Sequence, residues 1–153
     1  MKLLEAQASE PHRYTLHFVG SGCVSQVFKV ENWRDAPREV RLIPGQKLAI
    51  TFIDEATAKP VDNTHCYTMP EEKFTSQTWP SGRTDKAGRV DFDTLEAIEY
   101  SLRCSQFIVK SVKVEEGDKD GAWLHSDGNQ DTDQWIRFRG GKATRITIAG
   151  RKR

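Results

Sequence analysis

The chain lacks the features that mark membrane proteins, exported precursors and strongly charged binders. No apolar run approaches the roughly 20 residues that cross a bilayer, and the first residues mix Glu5 and Glu10 with apolar side chains, so we expect neither a membrane span nor a secretory leader. Twenty-three basic residues against 22 acidic residues leave a formal net charge of +1. Without a charge excess, we expect neither nucleic acid nor a membrane as a partner.

Cysteine is scarce, with only Cys23, Cys66 and Cys104 at wide spacing and no C-x-x-C pair. An odd number of distant cysteines argues against a disulfide framework, a redox motif and a zinc ribbon. The pattern favours a reducing compartment, so we predict a cytoplasmic protein whose cysteines are small buried apolar residues. One bridge together with one free thiol is also compatible with the count.

The sequence offers no convincing catalytic or metal site. His65 precedes Cys66, but neighbouring residues of a strand point to opposite faces and do not meet as base and nucleophile. Residues 127–133 place oxygen ligands at alternate positions, as a calcium loop begins, yet Thr132 and Phe138 stand where an EF-hand needs glycine and glutamate. We therefore predict no catalytic residue, no metal and no cofactor. The alternative is an enzyme or metal-binding protein that uses the His/Cys pair or the Asp-rich loop.

The chain does contain short alternating segments separated by turn residues, and it shows no sustained helical period. Its length of 153 residues suits one domain. In Lys47–Ile53 every second side chain is large and apolar, and similar alternation occurs before Phe92 and around Tyr100. We predict that one core contains the inward residues of these strands, namely Leu48, Ile50, Phe52, Val90, Phe92, Ile98, Tyr100 and Leu102.

Two turn motifs carry a family resemblance. D-x-x-T-x-x-P-V at residues 54–61, T-D-x-x-G-x-V-x-F at 84–92 and Y-x-L at 100–102 follow one another as in the transthyretin-like (prealbumin-like) or carboxypeptidase regulatory-like domain, a relative of collagen-adhesin B-type repeats, which this chain resembles. Pro60 is expected to close the first hairpin, and Gly88 to take a positive φ in a turn capped by Asp85. The resemblance implies an all-β antiparallel sandwich of about seven to nine strands. Residues 46–150 form its core, and residues 1–45 add strands that extend one sheet or cover an edge.

The resemblance also indicates a kind of function. Such domains usually serve as binding, spacing or docking modules, so we predict a non-enzymatic module that binds another protein, as an accessory or adaptor of a bacterial secretion or phage-like assembly. An immunity-type inhibitor of a toxin is an alternative. Two chemistries of related proteins are not expected. The last strand, 143–149, has no Asn or Asp for an isopeptide bond to Lys47, and the ending 149–153 lacks the Tyr-Arg-Gly-Ser of hydroxyisourate hydrolases.

Tryptophan and arginine mark the candidate binding surface. Trp33, Trp79 and Trp123 lie in or beside predicted loops, where each either covers an open end of the sandwich or contacts a partner. The loop 71–83 is the preferred contact surface, with Trp79 as its anchor. Basic residues after 134 either meet an acidic partner or are neutralised by the acidic segment 115–133. The predicted partner-binding residues are Trp79, Arg83, Trp123, Arg137 and Arg139.

Overall fold

The regular secondary structure of the described residues is almost entirely β-strand. The computed structural model describes residues 2–10, 13–71, 79–126 and 134–153, and it describes the side chains of 13–71, 79–125 and 135–153. Within these ranges no helix is long and apolar enough to cross a membrane. The described strands are β1 (Lys2–Glu10), β2 (Arg13–Val19), β3 (Gln26–Val30), β4 (Gln46–Asp54), β5 (His65–Pro70), β6 (Ser81–Arg83), β7 (Arg89–Leu95), β8 (Glu99–Cys104), β9 (Phe107–Gly117), β10 (Ala122–Ser126), β11 (Gln134–Arg139) and β12 (Ala143–Lys152).

The strands from β4 onward form two sheets. The first has five strands in the order β10-β11-β8-β5-β6, and the second has four in the order β7-β4-β12-β9. Neighbours pair antiparallel except β4 and β12, which run parallel. A single apolar core receives side chains from both sheets, so the predicted all-β sandwich is confirmed.

The core follows the alternation of the strands. Of the eight residues predicted to share it, seven are buried in it, and Ile98 packs against it while partly buried. Phe52 contacts Phe107 edge-on with ring centroids 5.3 Å apart, which joins β4 to β9. The buried residues of this core are Leu48, Ile50, Phe52, Val61, Cys66, Val90, Phe92, Leu95, Tyr100, Leu102, Phe107, Val109, Ala122, Ile136, Phe138, Ala143, Ile146 and Ile148.

The first turn motif closes as its residues predict. The Asp54 carboxylate accepts hydrogen bonds from the Thr57 backbone N–H and from the Thr57 hydroxyl, each at 2.8 Å. These bonds hold the pKa of Asp54 below its ordinary value. Pro60 then forms an antiparallel bridge with Ile53, so the proline stands where the chain turns back on β4.

The second turn motif also behaves as expected. Asp85 Oδ1 accepts from the backbone N–H of Ala87 at 2.8 Å and of Arg89 at 2.9 Å, which caps the turn before β7. Gly88 has a φ of 71°, a conformation that favours glycine because it has no Cβ. Its N–H donates to the Asp85 carbonyl at 2.9 Å, and this bond fixes the direction in which β7 leaves the turn.

The N-terminal strands form a third sheet. β1, β2 and β3 pair in that order. Leu16 and Phe18 of β2 and Val24 of the connection to β3 are buried, and they do not belong to the sandwich core. Val24 N–H donates to the Ile43 carbonyl at 2.9 Å, so the sheet is bonded to the segment that leads into β4. The sequence left two alternatives open for these strands, extension of a sandwich sheet or cover of an edge. Within the described ranges β1, β2 and β3 pair only with each other, so they do not extend a sheet of the sandwich. That they cover an edge of the sandwich stays a prediction.

Candidate functional site

The outer face of the five-stranded sheet brings together four aromatic and four arginine side chains. Its strands bury Cys66, Leu102, Ile136 and Phe138 in the core, so alternation turns their odd-numbered residues outward. We define the outer face by these residues and by the matching positions of the neighbouring strands. They are His65, Tyr67, Met69, Glu71, Trp79, Ser81, Arg83, Glu99, Ser101, Arg103, Trp123, His125, Trp135, Arg137 and Arg139.

Trp135 lies at the centre of an aromatic and cationic cluster on this face. The Arg103 guanidinium carbon lies 4.5 Å from the centroid of the Trp135 ring, within the range of a cation–π interaction. On the other side, the ring of His125 lies 5.0 Å from Trp135. Tyr67 is the cross-strand partner of Arg103 on the next strand. One row across the sheet therefore consists of His125, Trp135, Arg103 and Tyr67.

Arg137 is held by two carboxylates in the next row. Its Nη1 lies 3.2 Å from Glu99 Oε1, and its Nη2 lies 3.8 Å from Glu71 Oε2. The Ser101 hydroxyl donates to Glu71 and so fixes that carboxylate in turn. Between 25% and 34% of the surface of each of these three side chains is exposed, so the pairs are only partly shielded from solvent. The guanidinium of Arg137 therefore has a fixed position on the face.

The outer face also contains buried N–H groups without hydrogen-bond partners. Among the described residues these groups are Arg103 Nε, Trp135 Nε1 and Arg137 Nε. Each such group costs about 1–3 kcal/mol of lost solvation. All three lie on the same face at neighbouring register positions. Three unpaired N–H groups on one face reduce stability there, and a binding site is a better explanation of such groups than a purely structural surface.

Trp79 and Trp123 lie at opposite edges of the face. Trp123 is in β10 opposite Arg137, and 37% of its surface is exposed. Trp79 lies two residues before β6 and has 51% of its surface exposed. Thr68 N–H donates to the Pro80 carbonyl at 2.9 Å, and the same register places Trp79 opposite Met69. Four strand intervals of about 4.8 Å put the two edge tryptophans roughly 19 Å apart.

The two remaining predicted residues belong to the same face. Arg83 is the cross-strand partner of His65, and its Nη1 donates to Asn63 Oδ1 at 3.2 Å. Arg139 is the cross-strand partner of Glu99. All five residues predicted to bind a partner thus share one surface. Sequence reasoning missed the row of Trp135, Arg103 and Tyr67, although the alternation in each strand separately marks these side chains as outward.

The acidic segment before β11 differs from the predicted loop. β9 extends to Gly117 and β10 begins at Ala122, so Trp123 lies in a strand because its neighbours Ala122 and Leu124 pack on the core. Glu116 pairs with Arg145, and Asp118 lies 3.8 Å from Lys142 Nζ, so part of the basic charge is neutralised as one interpretation expected. Residues 72–78 of the predicted contact loop and the calcium-like segment 127–133 lie outside the described residues.

The alternative catalytic pair is separated by the sheet. Cys66 is fully buried in the core, whereas His65 lies on the outer face with its ring 6.1 Å from that of Tyr67. The two side chains therefore point away from each other, as the sequence indicates. In the described ranges, no three His, Cys, Asp or Glu side chains are grouped closely enough to hold a metal ion.

Comparison with protein-family models and with curated protein sequences gives no match. Among solved structures, the chain is similar to BcpA, the major pilin subunit of Bacillus cereus, with 12% identity, a TM-score of 0.46, and coverage of 92% of this chain and 38% of that one. It is also similar to a streptococcal ancillary pilin, with 12% identity, a TM-score of 0.39, and coverage of 94% of this chain and 46% of that one. The chain spans less than half the length of either pilin.

The similar structures correct the predicted location. Both are pilin subunits, which are proteins of the bacterial cell surface, whereas the cysteine count led to the expectation of a cytoplasmic protein. The cytoplasmic prediction is therefore wrong. Its physical basis was the scarcity of cysteine, but a sandwich with an apolar core of this size does not depend on disulfides, so the cysteine count does not fix the compartment.

Proposed function

We propose that this chain is a non-enzymatic protein-docking module and that the outer face of its five-stranded sheet binds the partner. One observation carries the proposal: two exposed tryptophans stand at opposite edges of this face, and arginines held by neighbouring side chains lie between them. Tryptophan, tyrosine and arginine are the residues that dominate interface hot spots. Because Arg103 and Arg137 are already positioned, binding costs little extra side-chain ordering there.

The other sheet presents a surface of different character. Half of the outward residues of β4 and β12 are small, such as Ala49, Thr51 and Thr147. On the flanking strands the charges are paired with neighbours, as Arg89 with Asp91 at 3.0 Å and Lys113 with Glu115 at 3.0 Å. On the four strands of this sheet, all of them within the described ranges, no aromatic residue faces outward. The described aromatic residues of the sandwich that are not in the core are therefore concentrated on one side.

The charge of the outer face indicates what kind of surface it would bind. Four arginines stand against two glutamates, and both glutamates lie near Arg137. The described residues of the face therefore carry more positive than negative charge, although the whole chain is nearly neutral. A partner that presents carboxylates around an apolar patch would complement this arrangement in charge and in polarity.

Capture from an extract of the native cell, followed by titration with the captured protein, tests the proposal. Tagged wild-type chain is compared with Trp79→Ala and Trp123→Ala chains. We expect each substitution to weaken binding by about 2 kcal/mol, or roughly 30-fold, because an interface tryptophan loses both its contact area and its packing. Melting temperatures should remain nearly unchanged, since both indoles are substantially exposed.

Two matched variants serve as controls. Trp33 has 48% of its surface exposed, close to the 51% of Trp79, but it lies against Tyr14 beside the N-terminal sheet. Arg89 is an exposed arginine on the other side of the sandwich. Trp33→Ala and Arg89→Ala should bind like wild type. Binding that survives both outer-face substitutions, or that fails equally in the controls, would contradict the assignment of the surface.

The family, the role in an assembly and the extent of the functional unit are further parts of this proposal. The capped turns at Asp54 and Asp85 support placing the sandwich among transthyretin-like domains, because both motifs close as that family's pattern implies. A docking face without a described catalytic or metal site is compatible with an accessory or adaptor subunit of a bacterial assembly. Residues 1–153 are proposed to form one functional unit, with the N-terminal sheet attached through residues 41–45.

A further inference from the structure

Cys66 and Cys104 face each other across two adjacent antiparallel strands. They are cross-strand partners in the register of β5 and β8, and both point toward the core side of the sheet. The two thiols are close enough to hydrogen-bond. This bond, together with burial, raises the pKa of the Cys104 thiol well above its ordinary value. Neither cysteine has a role in the docking face itself.

The hydrogen-bond pattern shows which kind of cross-strand position the pair occupies. Ser105 N–H donates to the His65 carbonyl at 2.8 Å, and Glu71 N–H donates to the Glu99 carbonyl at 3.0 Å. Hydrogen-bonded positions therefore fall on odd-numbered residues of β5, and Cys66–Cys104 is a non-hydrogen-bonded pair. In such pairs the Cα atoms lie about 4.5 Å apart, which is inside the range of about 4.4–6.8 Å found for disulfides.

We propose that Cys66 and Cys104 form a reversible intramolecular disulfide that links β5 to β8. The oxidant is a disulfide, either a small molecule such as oxidised glutathione or a thiol–disulfide oxidoreductase. One cysteine, as thiolate, attacks a sulfur of the oxidant and forms a mixed disulfide while one thiol leaves. The second cysteine, as thiolate, attacks its partner's sulfur and displaces the other thiol. Two cysteine thiols are oxidised and one disulfide is reduced to two thiols.

The position of the disulfide connects it to the outer face. Cys66 lies between His65 and Tyr67, and Cys104 follows Arg103, so the disulfide would join the two strands directly beneath the Tyr67–Arg103 pair. Cys23 lies elsewhere, in an isolated β-bridge with Pro44 beside the N-terminal sheet. The three cysteines therefore divide into one opposed pair and one isolated thiol, which matches the odd count without requiring a partner chain.

Oxidative refolding of the full chain tests the proposal. The protein is unfolded, refolded in a glutathione buffer that contains the oxidised form, blocked with an alkylating reagent, and analysed by peptide mass spectrometry. Refolding removes the barrier of burial, because every thiol is accessible in the unfolded chain. We expect one alkylated cysteine, Cys23, and one cross-linked peptide pair that contains Cys66 and Cys104, with a mass lower by about 2 Da than that of the two reduced peptides.

Single substitutions separate this pairing from other outcomes. Cys23→Ala should still form the disulfide, whereas Cys104→Ala should leave the other two thiols free in the monomer. The cross-linked protein should melt at a higher temperature than the same sample treated with dithiothreitol, because the cross-link restricts the unfolded chain. Three free thiols after oxidative refolding, a disulfide that contains Cys23, or a lower melting temperature of the cross-linked form would each overturn the proposal.

Discussion

Phe52 and Ile53 are neighbours in β4 with opposite surroundings. Phe52 is fully buried and contacts Phe107, whereas Ile53 is partly exposed on the other side of the sheet. Substitution of an inward residue of β4 with alanine therefore leaves a cavity, whereas substitution of an outward residue does not. The same reasoning separates inward Leu48 and Ile50 from outward Ala49 and Thr51, and it requires no knowledge of the partner sheet.

Replacement of Phe52 with alanine should lower the free energy of unfolding by about 3–5 kcal/mol, because it removes a fully buried ring and leaves a cavity at the contact between two strands. Ile53→Ala, one residue away, should cost much less, since less of its surface is buried. Chemical denaturation monitored by circular dichroism measures both. A larger loss for Ile53→Ala than for Phe52→Ala would show that β4 has the opposite register, and equal losses would contradict the burial of only one face.

Individual residues of the outer face differ in how far the sequence predicts their position. The exposure of Trp79 and the outward position of Arg137 are predictable from local pattern alone. The pairing of Arg103 with Trp135 is not, because the two residues belong to strands far apart in the chain. Their contact depends on the register between β8 and β11, and register across distant strands is set by packing of both sheets.

At the level of elements, a bulge interrupts the alternation of β9. Uninterrupted alternation would place Ile108, Val112 and Val114 on the same side of the strand, together with Lys110. In the structure Phe107 and Val109 are buried first, while Val112 and Val114 pack on the core further along. The register with β12 shifts between Val109 and Ser111, so one extra residue, Lys110, reverses the alternation and is itself exposed.

The turns are more predictable than the strands that surround them. Capping aspartates, a proline and a positive-φ glycine determine their geometry locally, so the motifs at 54–61 and 84–92 indicate the correct turns. β1 and β10 are not predicted, because β1 mixes charged and apolar residues without clear alternation and β10 is only five residues long. Conversely, residues 38–43 alternate but form no strand; they lie between the N-terminal sheet and β4.

The turn before β7 should tolerate no side chain at Gly88. A Cβ there would lie 2.5 Å from the Phe52 carbonyl oxygen and 3.0 Å from the Val61 nitrogen. Gly88→Ala should therefore lower the free energy of unfolding by more than the roughly 1–2 kcal/mol that a left-handed conformation alone costs. Gly22→Ala is the matched control, because Gly22 has a φ of 66° but a Cβ added there would meet nothing within 4 Å.

Urea denaturation of both glycine variants provides the measurement. The difference between them isolates the steric contribution, since both substitutions carry the conformational cost. If Gly88→Ala were no worse than Gly22→Ala, the close approach of the turn to the backbone of β4 would not contribute to stability.

In the molecule as a whole, the two sheets of the sandwich differ in the surfaces that they present to solvent. Both supply the core, but only the five-stranded sheet carries outward aromatic residues and unpaired buried N–H groups in the described ranges. The parallel pair β4–β12 lies inside the four-stranded sheet, where a ladder of Ile146, Ile148 and Phe52 is fully buried. A rigid sheet on one side thus supports a polar and aromatic surface on the other.

The sandwich should fold without its N-terminal sheet. Among the described side chains, none of the buried residues of the sandwich core comes from β2 or β3. The backbone of Val24 bonds to Ile43, and that of Gly22 bonds to Gly45, directly before β4. A chain of residues 46–153 should therefore unfold cooperatively, with a free energy of unfolding within about 2 kcal/mol of the full chain, because it loses surface contacts and no core side chain.

Denaturation of both chains, each with and without Phe52→Ala, measures this. The substitution should cost the same in both, since additivity holds for sites that share no partners. A truncated chain that shows no cooperative transition would mean that the N-terminal sheet and the sandwich fold as a single unit, in which residues 1–45 cover apolar surface that the isolated sandwich cannot expose.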